Sequence, residues 1–249
     1  MTRSTRASHG KDTVASLRAR LARLEREAAA RQRQLEHYAA DLREIFKQER
    51  NRAQELRRSY KATVLALANA VEARDAYTGK HAERVAAYGL RIARAAGIDV
   101  DPQVEFGFLL HDIGKVAVPD GILFKPGPLT EDERALMVTH PTIGSEILRH
   151  VDFLDEAKVV VLHHHERWDG TGYPARLAGE AIPVHARVFA VADTLDALTT
   201  DRPYQQAAPW AQARREIRAH GGTQFDPAIV AAYEAVPDEA FARIRDGIA

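Results

Sequence analysis

The 249-residue chain contains no cysteine. This absence excludes disulfides, zinc sites built on thiolates and cysteine nucleophiles, so any bound metal must be held by imidazole and carboxylate groups. Such a ligand set suits iron, manganese, zinc or nickel. The chain also lacks an excess of charge, with 35 basic and 35 acidic residues. This balance gives no electrostatic basis for general nucleic-acid binding.

Long apolar runs are absent as well. Apolar runs such as residues 159–162 and 188–192 are far short of the ~20 apolar residues that a membrane-spanning helix needs. The arginine-rich start, residues 1–6, is not followed by the apolar segment that a secretory signal requires. The sequence therefore predicts a soluble, cytoplasmic protein without a membrane span.

Glycine and proline are missing between residues 12 and 60. Strong helix formers dominate there, which predicts one long helix. Its apolar residues follow the alternating four-three spacing of a coiled coil: Leu17, Leu21, Leu24, Ala28, Leu35, Tyr38, Leu42, Ile45 and Leu56, with interruptions at Arg31, Glu49 and Arg52. One interpretation is a coiled coil that pairs two copies of the chain or receives the helix of a signalling partner. The other is a solvated helix packed on its own domain.

We expect three segments: a disordered N-terminus over residues 1–11, a coiled-coil helix over residues 12–58 and a globular domain over residues 59–249. The globular domain contains short amphipathic segments bounded by helix start and stop signals, namely Gly97, Asp101 before Pro102, Thr130 with Glu133, and Asp226 before Pro227. Residues 119–129 and 170–183 hold too much proline and glycine for a helix and are predicted as loops. Since no run alternates apolar and polar residues as a strand would, an all-α bundle is predicted.

A histidine and an aspartate end the apolar run of residues 106–110, so their polar groups enter a helix that is otherwise predicted to be buried. A metal would satisfy both residues, with the His111 imidazole as a ligand and the Asp112 carboxylate as a bridge between two ions. A structural hydrogen bond is the plain alternative. Lys115 follows one helical turn later, near the same face, where its ammonium could hold a phosphate oxygen.

A second acid, Asp193, ends the apolar run of residues 188–192 and also needs a partner. Asp196, one turn later, is expected to cap a helix or form a surface pair. The two acids join five imidazoles from separate segments: Asp112, Asp193, His81, His111, His140, His164 and His165. These groups suffice for two divalent ions that share one carboxylate. Two such ions could clamp a phosphodiester and activate a bridging water.

The stretch of residues 164–174 combines two adjacent imidazoles with a tight Gly-Tyr-Pro turn, which indicates a metal site beside a binding loop. Glu166 and Asp169 are expected to orient this loop or to hydrogen-bond a ligating imidazole. Salt bridges are the expected use of Arg84 and Arg187.

These motifs resemble an HD-GYP domain, a branch of the HD phosphohydrolase superfamily. The resemblance runs from about residue 59 to the C-terminus and rests on the His-Asp pair at 111–112, on residues 164–174, and on HAERV at 81–85, LHDIGK at 110–115, HPTIG at 140–144, VAD at 191–193 and RPY at 202–204. It implies an HD-type helical bundle as the catalytic domain. It also implies hydrolysis of cyclic di-GMP to pGpG or onward to GMP, by attack of a metal-bridging hydroxide on phosphorus.

The resemblance also implies residue roles. Asp112 and Lys115 would be catalytic. One ion would be held by His81, His111, Asp112 and Asp193, and the second by Asp112, His140, His164 and His165. Iron or manganese is the expected metal. Substrate contacts would come from Lys115, Lys125, Tyr173 and Arg202.

One position departs from the family pattern. Members that bind three metals carry a glutamate four residues before the first histidine, where this chain has Tyr77. A tyrosine with an ordinary pKa near ~10 stays protonated at neutral pH, so two metals are predicted. Glu72 and Asp75 lie nearby but not at the matching position. The alternative functions are a non-catalytic cyclic di-GMP receptor or interaction module, and a phosphohydrolase of another cyclic nucleotide.

Overall fold

A computed structural model describes residues 13–74, 80–201 and 206–248. The described residues are mainly helical, with no β-strand among them, which confirms the all-α prediction. The α-helices are α1 Val14–Glu72, α2 His81–Ala95, α3 Pro102–Leu109, α4 Asp120–Leu123, α5 Glu131–Met137, α6 His140–Ile147, α7 Asp155–His163, α8 Val184–Thr199, α9 Trp210–Ala219, α10 Pro227–Glu234 and α11 Asp238–Ile248. Short 3₁₀ helices span Ile113–Ala117, Asp152–Leu154 and Gly179–Ala181.

The chain divides into two compact units, Met1–Ser59 and Tyr60–Ala249. The long helix α1 does not stop at this division but continues to Glu72, since neither glycine nor proline interrupts it. In the first unit the leucines of the four-three pattern are exposed, Leu21 to 57% and Leu35 to 56%. Pairing of this helix with another chain stays a prediction. The expected disordered segment, residues 1–11, lies outside the described residues.

The residues that the sequence predicted to cap helices do so in the second unit. The Asp101 and Asp226 side chains cap α3 and α10 by accepting hydrogen bonds from backbone N–H groups. Thr130 and Glu133 form a capping box at the start of α5. The prediction of a continuous loop over residues 119–129 was wrong in one part, because Pro119 precedes the single helical turn of α4 and proline is tolerated beside the first helical turn.

The core of the second unit lies where α2 packs against α3 and α8, while α7 packs against α3, α6 and α8. Helices α9, α10 and α11 complete it against α2 and α8. Phe108 and Phe189 are fully buried there with a tilted ring contact of 5.5 Å between centroids. This packing places the ends of α2, α3, α6 and α7 and one face of α8 around a single cleft. No helix within the described ranges is both long and apolar enough to span a membrane.

Candidate metal centre

Two groups of ligand atoms face each other in this cleft. One consists of His140, His164 and His165, and the other of His81, His111 and Asp193. Within each group, one donor atom from every residue lies within 4.8 Å of the others. The described part of the chain thus brings together the six residues that the sequence paired with Asp112.

Asp112 lies between the two groups. Its Oδ2 atom is 3.1 Å from the Nε2 atom of His111, and its Oδ1 atom is 3.3 Å from the Nε2 atom of His140. Each carboxylate oxygen therefore faces a different group, which is the arrangement that a bridging ligand requires. Burial alone would raise the pKa of Asp112, but the neighbouring His111 and Lys115 outweigh it and hold the pKa well below its usual value. Asp112 is therefore an anion.

Helix ends orient three of the imidazoles. The Nδ1 atoms of His111, His140 and His164 lie 2.9, 2.8 and 2.8 Å from the carbonyl oxygens of Phe108, Met137 and Val161. Each acceptor belongs to the last turn of a helix, α3, α5 or α7, where carbonyls lack a partner within the helix. A carbonyl can only accept, so each Nδ1 carries a proton, and in a neutral ring Nε2 then presents a lone pair to the cleft. Burial alone would lower the pKa of His111, but the Asp112 carboxylate, 3.1 Å from its Nε2 atom, outweighs burial and raises the pKa.

Burial keeps the rings of the first group neutral. It lowers the pKa of His140, lowers that of His164 well below its ordinary value, and lowers that of His165 to about 3. Neutral imidazole is the form that binds a metal. Three neutral nitrogen donors beside one carboxylate oxygen fit a divalent transition-metal ion.

The second group is supported by a buried carboxylate. The Nε2 atom of His81 is 3.4 Å from Oδ1 of Asp193, while its Nδ1 atom lies 2.8 Å from Oδ2 of Asp196. Asp196 is fully buried and also accepts a 2.6 Å hydrogen bond from Nε of Arg84. Burial raises its pKa, but the hydrogen bonds from His81 and Arg84 outweigh burial and lower the pKa. The expectation of an ordinary cap or surface pair for Asp196 was therefore wrong, whereas the salt bridge expected for Arg84 is confirmed.

The predicted substrate residues differ in their surroundings. Lys115 places Nζ 2.8 Å from Oδ2 of Asp112, at the cleft. Tyr173 stacks on His165 with 4.7 Å between ring centroids, and burial raises its pKa to about 12. Lys125 instead pairs with Glu133, at 2.5 Å, so its contact with a substrate stays a prediction. Arg202 lies outside the described residues, as does Tyr77.

A buried glutamate, Glu166, holds the backbone of the Gly-Tyr-Pro loop by hydrogen bonds. The Glu166 carboxylate accepts hydrogen bonds from the backbone N–H groups of Ala175, at 2.8 Å, and Leu177, at 3.0 Å. Asp169 accepts from the Thr171 backbone and hydroxyl. Both acids organise the loop, as expected.

The salt bridge expected for Arg187 forms with Asp226, at 2.6 Å.

The cleft has a volume of about 280 Å³ and is partly open to solvent. Besides the ligand atoms, its walls include Val71, Glu72, Leu110 and Lys115. No role was predicted for Glu72 from the sequence, and the cap or surface pair predicted for Asp196 was wrong. The spacing offered one signal for Asp196, because residues three apart share a helix face and Asp193 was already placed in the site.

A family model described as HD domain matches residues 66–229. Among curated proteins, the chain is 46% identical over 165 residues to the cyclic di-GMP phosphodiesterase PA4108 of Pseudomonas aeruginosa, covering 64% of this chain and 39% of that protein. It is 44% identical over 183 residues to 3'3'-cGAMP-specific phosphodiesterase 2 of Vibrio cholerae, covering 71% and 34%. The chain thus spans less than half the length of these relatives.

Solved structures show the same fold at lower identity. A cyclic GMP-AMP specific phosphodiesterase from V. cholerae aligns with a TM-score of 0.54 at 20% identity, covering 74% of this chain and 52% of that one. The PgpH HD domain of L. monocytogenes, in complex with cyclic-di-AMP, aligns with a TM-score of 0.50 at 19% identity, covering 72% and 96%. At these identities the likeness concerns the fold alone.

Proposed function

The chain belongs to the HD domain family, and we propose that it is a metal-dependent phosphodiesterase that hydrolyses cyclic di-GMP to pGpG or onward to GMP. The observation that carries this proposal is the position of Asp112, whose two carboxylate oxygens face two separate groups of ligand atoms at 3.1 and 3.3 Å. A carboxylate shared in this way suits two ions acting on one phosphodiester.

The proposed ligand sets follow the two groups. His81, His111, Asp112 and Asp193 would hold one ion, and Asp112, His140, His164 and His165 would hold the other. Iron or manganese suits these nitrogen and oxygen donors. When bound, two such ions supply Lewis acidity and lower the pKa of water, which yields a nucleophile at neutral pH. Two ions remain the expected number.

The other residues would orient the substrate. The Lys115 ammonium is held at the cleft by Asp112, where it can contact a phosphate oxygen and stabilise the negative charge that develops on it. Tyr173 stands beside His165 and would contact the nucleotide. Lys125 and Arg202 are further proposed phosphate contacts. For Lys125 this requires exchange of its bond to Glu133 for one to phosphate.

A second substrate has specific support. Relatives named for cyclic di-GMP and for 3'3'-cGAMP have nearly equal identity to this chain, 43% for RpfG of Xanthomonas campestris and 44% for the V. cholerae phosphodiesterase 2. Both nucleotides present the same phosphodiester chemistry and differ in one base. We therefore propose 3'3'-cGAMP as the competing substrate.

The test is a product assay on the purified chain, stripped of metal and reloaded anaerobically with Mn²⁺ or Fe²⁺. Cyclic di-GMP, 3'3'-cGAMP and cyclic di-AMP are supplied side by side. The proposal expects pGpG from cyclic di-GMP, and loss of turnover together with bound metal in His111→Ala. Turnover of none of the three nucleotides with either metal would refute a phosphodiesterase. Nucleotide binding that His111→Ala leaves intact, without turnover, would favour a receptor.

We further propose that residues 12–58 form a homodimeric coiled coil. The exposed leucine pattern of α1 supports this, since such a seam is stabilised when a second helix buries it. Sedimentation of the whole chain and of a chain that starts at Ser59 separates the outcomes. A dimer that becomes a monomer on truncation supports the proposal, and equal monomer masses would overturn it. A signalling protein as partner of this helix, and a cytoplasmic location, stay predictions.

A further inference from the structure

The end of helix α1 is bonded to the element that carries His81. Glu72, the last residue of α1, points its carboxylate at the start of α2, where Oε1 accepts a 2.6 Å hydrogen bond from the backbone N–H of Ala82. Ala82 directly follows His81, the first residue of α2. Glu72 also lines the cleft together with His81, His111 and Asp193.

Helix α2 depends on this bond because its own N-cap residue supplies no side-chain acceptor. That residue is Lys80, which adopts a left-handed conformation with φ 65 and makes no side-chain cap hydrogen bond. The first N–H groups of a helix need an acceptor from elsewhere, and a carboxylate there also interacts favourably with the helix dipole. Glu72 therefore provides from α1 what an N-cap serine or aspartate provides within a single segment.

Glu72 can fix α2 because α1 is itself anchored in the second unit. The Tyr60 ring stacks on Phe153 with 4.2 Å between centroids, and Lys61 pairs with Glu105 at 2.7 Å. Val64 and Ala68 are 2% and 4% exposed. The last turns of α1 thus form a fixed support, and a bond from that support restricts where α2 begins.

We propose that Glu72 is a positioning residue of the metal centre, which caps α2 from α1 and so fixes the location of His81 relative to His111 and Asp193. The inference rests on the proposed two-metal function. His81 receives a double constraint: Asp196 sets the direction of its ring through Nδ1, and Glu72 sets the position of its backbone. Groups that orient metal ligands in this way typically affect metal affinity about 10- to 100-fold.

The test is a calorimetric titration of Mn²⁺ into the metal-free full chain. We expect two ions to bind the unaltered protein, and in Glu72→Ala one of them to bind about 10- to 100-fold more weakly while the other keeps its affinity. Glu72→Gln retains an amide oxygen that can accept from Ala82, so it should restore much of the lost affinity. Equal affinities in Glu72→Ala and the unaltered protein would overturn the inference. Failure of Glu72→Gln to restore binding would also overturn it, because the carboxylate would then act directly on the metal.

Arg74→Ala is the matched control. Arg74 lies two residues beyond Glu72 and bonds the Val116 carbonyl at 2.8 Å and the Asp120 carboxylate at 2.6 Å, both of which lie outside α2. Its loss removes contacts of the segment after α1 but leaves the cap and the buried anchors of α1 in place, so Mn²⁺ affinity should be unchanged. An Arg74→Ala defect as large as that of Glu72→Ala would show general loosening and overturn the cap as the cause.

Hydrogen exchange in the metal-free protein provides an independent readout. Exchange of the Ala82 amide should accelerate in Glu72→Ala and stay unchanged in Arg74→Ala, and unchanged exchange in both would overturn the cap. If the unaltered protein bound no ion but Glu72→Ala still accelerated this exchange, the proposed function would fail while the cap stood. If both ions bound normally in every variant, only the positioning role would fail.

Discussion

The Nε2 atoms of the buried His140 and His164 lie 3.2 Å apart. Both rings use Nδ1 to donate to a backbone carbonyl, so two lone pairs face each other across this distance. Burial disfavours the protonation that would turn the contact into a hydrogen bond, since it lowers the pKa of both rings. A cation that accepts both lone pairs stabilises this arrangement, and its removal leaves them opposed.

Metal removal should therefore lower thermal stability. At a free Mn²⁺ concentration 100 times the dissociation constant, a single site stabilises the fold by about 2.7 kcal/mol. For a domain of this size that corresponds to a Tm shift of roughly 5–10 °C. We expect calorimetry to show this loss after chelation and its recovery when Mn²⁺ is restored.

The matched variants for that experiment are His164→Ala and His150→Ala. His164 contributes one of the two opposed lone pairs, so its removal should abolish most of the Tm response to Mn²⁺ at this site. His150 is exposed and its removal should leave the response intact. A Tm that chelation does not change in the unaltered protein would contradict a metal between the rings.

The clustering of these residues was predictable from the sequence because polar residues that end apolar runs need partners. His111, Asp112 and Asp193 each stood out in this way, and the resemblance to HD-GYP domains added the histidines of other segments. The sequence also predicted the caps at Asp101, Thr130 and Asp226, since such caps depend on residues within a few positions of each other.

The support of the site was not predictable in the same way. Glu72 and Ala82 are 10 residues apart and lie in different helices. Their hydrogen bond forms only because α1 and α2 meet at the cleft. Asp196 looked like an ordinary polar residue of an amphipathic helix. Its burial and its bonds to His81 and Arg84 depend on how α2 packs on α8. Tertiary packing, which local spacing does not encode, determines both.

Asp196→Ala should destabilise the fold strongly. The substitution removes the buried carboxylate to which Arg84 and His81 are bonded, and removing one partner of a buried ion pair typically costs about 3–5 kcal/mol. Urea unfolding measures this loss. Asp155→Ala is the control, because the Asp155 pair with Lys158 involves a carboxylate that is 69% exposed, and such a pair contributes only about 0–1 kcal/mol. Similar losses in the two variants would contradict the role of Asp196.

Glu166→Ala should separate substrate binding from metal binding. The carboxylate holds the backbone of Ala175 and Leu177 but is not among the groups of metal-ligand atoms. Its loss leaves two N–H groups without these acceptors, so the loop that carries Tyr173 should become mobile. We expect a raised KM, faster proteolysis within residues 172–177 and an unchanged number of bound ions.

Glu180→Ala is the control for the loop experiment, since Glu180 is exposed in the same region of the chain. It should leave KM and proteolysis unchanged. Loss of metal from Glu166→Ala, with the loop still resistant to protease, would show that Glu166 acts on the ligands and not on the loop.

Gly114→Ala should disrupt the contact between the turn that follows Asp112 and the start of α6. A Cβ atom at Gly114 would lie 1.9 Å from the His140 carbonyl oxygen and 2.6 Å from the Gly144 nitrogen. Both neighbours are backbone atoms, which can yield only if the turn and α6 move apart. Overpacking of this kind typically costs about 1–3 kcal/mol or more. Since Asp112 and His140 stand on opposite sides of the contact, Mn²⁺ affinity should fall along with Tm.

Gly121→Ala tests whether this effect is specific to the crowded position. Gly121 lies in α4, and a Cβ atom added there would meet no described atom within 4 Å, so alanine enters open space. Alanine is also favoured over glycine in a helix, by about 0.5–1 kcal/mol. We therefore expect Gly121→Ala to keep or slightly raise Tm and to leave Mn²⁺ titration unchanged. If Gly114→Ala behaved in the same way, the turn and α6 would not be in the close contact that holds Asp112 beside His140.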